Sequence, residues 1–219
     1  MPARSYDHQR RALVALLRDK GIADERVLSA VAAVPRHAFV DDALRHRAYR
    51  DEALPIGLKQ TISQPFTVAY QTSLLGVQPG HRILEIGTGS GYQAAVLCEL
   101  GARVLSIERH EPLLERTRAL LDDLGYRVLA RHGDGTLGWP ASAPFDGIVV
   151  TAGGSEVPEA LLDQLRGPDA DRAGGRLIIP IGEADKQTML RITRTATGFE
   201  REELMDCLFV PLVADHAGR

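Results

Sequence analysis

Cysteine is nearly missing from this chain, with Cys98 and Cys207 the two among 219 residues. Two isolated thiols build neither a disulfide framework nor a thiolate metal site, and a reducing cytoplasm is the consistent compartment. The histidines His8, His37, His46, His81, His110, His132 and His216 are scattered without metal-ligand spacing, so no metal is expected. Long apolar runs are missing as well, and nothing approaches the roughly 18 residues of a membrane span. The one leader-like stretch, Ala12 to Leu17 behind Arg10 and Arg11, is too short and runs into Arg18, Asp19 and Lys20. It also lacks a small-residue cleavage site and reads as part of an amphipathic helix. Nor is there an excess of basic charge. A net charge of -3 and a pI near 6.2 argue against nucleic acid as the main partner.

What is present is an ordinary globular composition, 44% hydrophobic and 25% charged. A chain of this length buries about 70% of its unfolded surface. One domain is expected over 1–219, in which residues 1–79 add helices and substrate-side segments to an α/β core at 80–219. Apolar spacing predicts helices over 5–20 and 24–34, the second capped by Asp24, with Val27, Leu28, Val31 and Val34 on one face and Pro35 as its stop. Residues 36–65 have poor periodicity and read as a long, mostly irregular segment of the kind that usually carries function. A helix follows from Pro65 to Leu75.

Beyond Gly80 strands and helices alternate. Strands are expected near 82–86, 103–107, 127–131, 145–151 and 175–180, and helices near 91–100, 111–124 and 157–166. This is the pattern of a doubly wound, mostly parallel sheet, which binds ligands at the carboxyl ends of its strands. Two later runs, Thr188 to Arg194 and Met205 to Leu212, are expected to pair antiparallel at one side. The polar stretch from Arg166 to Gly174 reads as a surface loop without function, opposite the ligand edge.

The most informative stretch is Arg82 to Gln93, where the apolar run Ile83-Leu84-Glu85-Ile86 breaks into Gly87, Gly89 and Gly91 and then turns helical. Glycine permits a sharp turn and lets a ligand approach the main chain. A dinucleotide fingerprint would need its third glycine at position 92, which is Tyr92, and no phosphate-binding G-x-x-x-x-G-K-[ST] loop exists. The next strand ends at Glu108, about twenty residues on, where a carboxylate can accept both hydrogen bonds of a ribose diol. A nucleoside without phosphates, such as S-adenosylmethionine, fits best. Glu85 either positions cofactor groups or holds the glycine turn. Ser63, just before the Pro65 helix, either caps that helix or offers a hydroxyl beside free backbone N–H groups to a carboxylate.

Further motifs carry a resemblance. Val34-Pro35-Arg36-His37-Ala38-Phe39-Val40, Leu54-Pro55-Ile56-Gly57, Gln60-Thr61-Ile62-Ser63-Gln64-Pro65 and the glycine run are followed by Arg131-His132-Gly133-Asp134-Gly135 and Pro144-Phe145-Asp146-Gly147. Gly174-Gly175-Arg176-Leu177 and Phe209-Val210-Pro211-Leu212 complete the set. In these the chain resembles the protein-L-isoaspartate O-methyltransferase family from about Val34 to Val213.

The resemblance implies a Rossmann-like S-adenosylmethionine-dependent methyltransferase fold with N-terminal helical additions. It implies methyl transfer to the free α-carboxylate of L-isoaspartyl residues in age-damaged proteins, yielding S-adenosylhomocysteine and an ester that collapses to a succinimide, the first step of repair. It implies Ser63 as the active-site hydroxyl. Gln60, Thr61, Ile62, Glu85, Gly87, Gly89, Gly91, Glu108, Asp134 and Gly135 form the cofactor side, with Glu108 at the ribose and Asp134 with Gly135 at the adenine. Val68 stands where some members place a cofactor-side histidine. Gly153 and Gly154 replace bulkier residues, which predicts a looser substrate edge. Asp146 and His132 are left outside the site. A cytoplasmic monomer is expected, touching neither membrane nor nucleic acid. The rivals are a related methyltransferase dedicated to one peptide in natural-product maturation, which activity on several unrelated isoaspartyl peptides would exclude, and a catalytically silent cofactor-binding module, which one methyl-transfer assay would exclude.

Overall fold

The computed structural model of the chain describes residues 4–214, so His216 lies outside the described residues. Helix α1 (Arg4–Asp19) and helix α2 (Glu25–Ala33) form where apolar spacing places them. Asp24 caps α2 by accepting from the N–H of Arg26 at 3.0 Å and of Val27 at 3.3 Å. Val27, Leu28, Val31 and Val34 are all buried, which is the face the spacing predicts.

The segment expected to be irregular is more ordered than its sequence suggests. Two 3-10 turns, Arg36–Phe39 and Asp42–Arg47, lead into a hairpin of β1 (Leu54–Gly57) and β2 (Gln60–Ile62). The hairpin is hidden in the sequence because its two-residue turn, Leu58-Lys59, contains none of the Asn or Gly residues that normally announce one. A fully buried guanidinium ties the segment down. Arg36 donates from Nε to the Ala48 carbonyl at 2.8 Å and from Nη2 to the Glu52 carbonyl at 3.3 Å, with its charge 4.6 Å from the centre of the Tyr92 ring. Helix α3 (Pro65–Leu75) then starts with proline at its first turn and stops at Gly76, whose φ of 63° is left-handed.

The core is one sheet of seven strands: β3 (Arg82–Ile86), β4 (Arg103–Glu108), β5 (Val128–His132), β6 (Gly147–Val150), β7 (Arg176–Glu183), β8 (Lys186–Arg194) and β9 (Phe199–Cys207). Their spatial order is β5-β4-β3-β6-β7-β8-β9, parallel through β7 and antiparallel beyond. Helices α4 (Tyr92–Glu99), α5 (Glu111–Asp123) and α6 (Glu159–Asp163) supply the crossovers. Period-two alternation divides the apolar residues between two faces. Ile83, Val104, Val149 and Ile178 pack with α1 to α4, whereas Leu84, Ile86, Leu105, Ile107, Ile148 and Leu177 pack with Phe145, Leu161 and Leu165.

Two element boundaries depart from the sequence reading. The helix expected over 157–166 shrinks to α6, because beyond it the backbone turns to pair with Phe145, whose N–H donates to the Gln164 carbonyl at 2.8 Å. The last strand lies at Phe199–Cys207 instead of 205–212. Its first half is charged and shows no apolar alternation, but as an edge strand it is held by its backbone ladder and by the forked Arg191–Glu202 pair at 2.8 and 2.6 Å. The apolar residues after it run instead along Gly153.

Candidate active site

Strand order reverses between β3 and β6, and in an open parallel sheet a crevice opens at the carboxyl ends on either side of such a switch. A cavity of about 390 Å³ lies there, floored by the ends of β3, β4 and β6 and bounded by the β1–β2 hairpin. That volume is within the range of small-molecule sites. Its position follows from chain topology before any side chain is considered.

The glycine turn forms its floor. Gly87 has φ of 93°, and a Cβ there would stand 2.4 Å from Thr151 Oγ1. Thr151 uses that hydroxyl to donate to the Ile86 carbonyl at 3.0 Å and the Gly87 carbonyl at 2.7 Å, joining the ends of β3 and β6. Gly89, with φ of 53°, donates its N–H to Glu108 Oε2 at 2.8 Å. Gly91 does not line the cavity, contrary to expectation. It precedes α4 with φ of 88°, and a Cβ would lie 2.8 Å from Thr117 Cγ2, so this glycine serves close packing of α4 on α5.

Two acidic side chains flank the turn in different surroundings. Glu108 is oriented by backbone N–H groups, one oxygen facing Gly89 and the other His110 at 2.9 Å, and each oxygen keeps a second lone pair for a ligand hydroxyl. Glu85 is fully buried, and burial pushes its carboxyl up to about 8; the Ser106 hydroxyl pulls it down and Glu108 pushes it further up. Its Oε2 accepts from Ser106, whose oxygen is 2.6 Å from Thr88 Oγ1, while its Oε1 has no hydrogen-bond partner. Gln93 donates to Thr72 Oγ1 at 2.9 Å and likewise leaves a buried oxygen without a partner. Both residues line the cavity. Buried polar atoms without partners also occur away from this cavity, on Arg36, Gln71 and Arg131, so what distinguishes Glu85 and Gln93 is that they lie together beside the glycine turn.

Gln60, Thr61, Ile62 and Ser63 line the hairpin side. Ser63 does not cap α3. The N-cap position is Gln64, without a side-chain bond, and the free Phe66 N–H is met by Asp51 Oδ1 at 2.7 Å, itself held by Lys20 at 2.6 Å. The Ser63 hydroxyl makes no hydrogen bond among the described residues. Gly135 lines the far wall, but Asp134 does not: its Oδ1 turns back to the N–H and hydroxyl of Thr136, at 2.8 and 2.7 Å.

Several lining residues escaped the sequence reading: Thr88, Ser90, Tyr92 and Gln93 beside the glycines, Leu58 and Lys59 at the hairpin tip, and Val210 to Val213. The first group could have been found as the filling of the glycine motif. The last is placed by tertiary bonds alone, Gly153 N–H to the Val210 carbonyl at 2.8 Å and Leu212 N–H to the Gly153 carbonyl at 2.7 Å. Those bonds also correct the looser edge expected at Gly153. A Cβ there would lie 2.3 Å from Gln187 Nε2, so a side chain already fills the space. Val68 lines the cavity as a buried apolar residue. His132 lies outside it, its Nε2 2.8 Å from the Arg109 carbonyl, and Asp146 accepts from the Arg82 N–H at 2.9 Å at the opposite end of the sheet.

This wall suits a nucleoside with hydroxyl and ammonium groups and no phosphate. The side-chain oxygens beside the glycine turn, on Glu85, Glu108 and Gln93, are placed to accept hydrogen bonds from a diol or an ammonium, and among the described residues no basic side chain stands there for a phosphate. No group of residues able to hold a metal ion occurs among the described residues. A model of the family described as Protein-L-isoaspartate(D-aspartate) O-methyltransferase (PCMT) matches residues 8–217. The chain belongs to this family. A protein-L-isoaspartate O-methyltransferase from Salinibacter ruber is 67% identical over 98% of this chain and 96% of its own length. A solved protein-L-isoaspartate O-methyltransferase superposes with a TM-score of 0.83 at 28% identity, covering 94% of this chain, which spans 66% of the solved one. A Plasmodium falciparum protein assigned to the same activity, solved in complex with S-adenosyl-L-homocysteine, gives 0.79 at 27% identity over 93% of this chain and 98% of that one. The family therefore carries both the fold and the methyltransferase activity, with S-adenosylmethionine as donor.

Proposed function

We infer that this cavity transfers the methyl group of S-adenosylmethionine to the α-carboxylate of L-isoaspartyl residues in damaged proteins, with Ser63 orienting the acceptor. Bound there, S-adenosylmethionine supplies a methyl group on a sulfonium, ready for displacement by an oxygen nucleophile. Glu108, oriented by two backbone N–H groups, accepts from the ribose diol. Glu85 and Gln93 offer their unpartnered oxygens to the ammonium of the methionine portion. Gly87 and Gly89 allow the main chain to be approached closely, and Gly135, on the turn capped by Asp134, flanks the adenine. Gln60, Thr61 and Ile62 separate cofactor from substrate.

The acceptor needs no base. An α-carboxyl has an ordinary pKa near 3.5, so at neutral pH it is already an anion. The protein's task is to align it and exclude water. The observation that carries the assignment is the free hydroxyl of Ser63 on the cavity wall, with the helix start beside it satisfied by Asp51. The same proposal places the chain in a reducing cytoplasm as a monomer, acting on protein segments presented to the open mouth of the cavity. Supporting a reducing compartment, Cys98 and Cys207 are unpaired thiols. No helix among the described residues is long and apolar enough to cross a membrane.

The test is radiolabelled methyl transfer to a synthetic isoaspartyl peptide beside the same peptide with normal aspartate. Label on the first alone is expected; equal labelling of both, or of neither, overturns the reading.

A further inference from the structure

The tip of the β1–β2 hairpin is built against its own conformational preference. Leu58 and Lys59 have φ of 51° and 59°. A two-residue turn with both central residues left-handed is ordinarily Asn-Gly or Asp-Gly, since a Cβ makes that conformation costly. Both long side chains line the mouth of the cavity. Backbone strain kept at the edge of a site points to a use for the side chains that impose it. The hairpin is braced from α5, where Arg116 donates to the Ile56 carbonyl at 2.7 Å, so its tip is a fixed part of the rim.

The charge at this rim is specific. Lys59 is exposed and forms no hydrogen bond or ion pair among the described residues. Arg109, also at the cavity, is engaged with the Val213 carbonyl at 2.8 Å. Deeper in, at the glycine turn, stands the carboxylate of Glu108. A substrate chain brings one carboxylate inward to Ser63. Any second carboxylate beside it is repelled from the depth and attracted to the rim.

We propose that Lys59 is a specificity-determining residue whose ammonium binds a carboxylate flanking the isoaspartyl residue, so that the chain selects damaged sites in acidic segments. This rests on the isoaspartyl methyltransferase reading of the cavity. The pair is solvent-exposed, so its effect is modest and salt-sensitive.

The experiment compares two isoaspartyl peptides, identical except that glutamates beside the damaged residue in one are glutamines in the other. The quantity read is the ratio of their kcat/KM values within each protein, which cancels any loss of folding or of general activity. The wild type is expected to favour the acidic peptide by about two- to fivefold, the range of an exposed ion pair, and to lose the preference near 1 M salt. Lys59→Arg should keep it, Lys59→Gln should bring the ratio to one, and Lys59→Glu should invert it. Lys59→Gly should also abolish the preference while raising the melting temperature, because glycine relieves the left-handed strain. A ratio that stays the same from lysine to glutamate overturns the proposal and leaves the methyltransferase reading standing. Methylation of neither peptide by the wild type overturns both.

Discussion

The parallel strands carry a cavity at each end, about 390 Å³ at the carboxyl ends and about 420 Å³ at the amino ends, and the two are finished in opposite ways. At the amino ends the charges satisfy one another. Asp146 accepts from the Arg82 N–H at 2.9 Å and from Arg166 Nε at 2.8 Å. Arg166 goes on to the Gly167 and Ala173 carbonyls, and Asp169 gathers Arg172 and two backbone N–H groups. At the carboxyl ends Glu85 and Gln93 keep buried oxygens without partners, Ser63 keeps a free hydroxyl, and Glu108 is oriented with lone pairs to spare. Size does not distinguish the two cavities. Unspent hydrogen-bonding capacity does: buried oxygens of Glu85 and Gln93 without partners belong to residues lining the carboxyl-end cavity, and no described residue lining the amino-end cavity carries one.

The largest expected effect is on Ser63. Ser63→Ala should lower turnover by about ten- to a thousandfold, up to about 4 kcal/mol of lost alignment, with little change in cofactor affinity. Because Asp51 and not Ser63 meets the helix start, the melting temperature should hardly move. Turnover measured from about pH 5 to 9 should show no rise assignable to a catalytic base, since the acceptor ionises far below that range. A variant with full turnover would return Ser63 to the status of a wall residue.

The two ends should also respond to pH with opposite sign. Burial pushes Glu85 up to about 8, so between its unfolded pKa near 4.3 and that value the folded chain holds a proton that the unfolded chain releases. Its stabilisation is full below the unfolded pKa and is lost as pH rises through about 8. Glu85→Gln, neutral at every pH, should therefore match the wild type in acid and exceed its stability at pH 8 to 9 by several kcal/mol, without cofactor. At the other end burial raises Asp146, but the Arg82 N–H and the Arg166 guanidinium outweigh it and hold its carboxyl below the ordinary value. Its contribution is present above the unfolded pKa and disappears as pH falls through the lower folded one. Asp146→Asn should thus cost about 1 to 2 kcal/mol at neutral pH and little in strong acid. Thermal melts of both variants across pH check the pair, and parallel slopes would break the contrast.

Much of the carboxyl-end site was legible in the chain because its parts are local. Gly87 and Gly89 follow a strand and Glu108 ends the next, so spacing brought them to this cavity wall, whereas Ser63 was singled out through the family resemblance. Gly91 and Asp134, expected on the cofactor side, do not line the cavity, because a residue type reports a backbone need and not which neighbour causes it: Gly91 packs closely against α5, and Asp134 caps the turn at Thr136. The β1–β2 hairpin and the Val210 to Val213 wall stayed hidden for another reason. One has a turn without turn residues, and the other is placed by hydrogen bonds to Gly153, distant in sequence. The polar Gly167 to Ala173 loop was placed correctly at the far end from strand direction alone.

The contrast between the two ends can be tested in a single calorimetric comparison of S-adenosylmethionine binding. The proteins are the wild type, Glu108→Ala, and a variant with Gly167 to Ala173 shortened to a two-residue turn. Losing the oriented carboxylate should weaken binding by about 1.5 to 3 kcal/mol, the range for charge-assisted hydrogen bonds. The shortened loop should bind within about twofold of the wild type, since rebuilding a surface connection leaves the rigid elements around the cofactor in place. An unchanged dissociation constant in folded Glu108→Ala, or a large loss in the loop variant, would contradict the assignment of function to the open end.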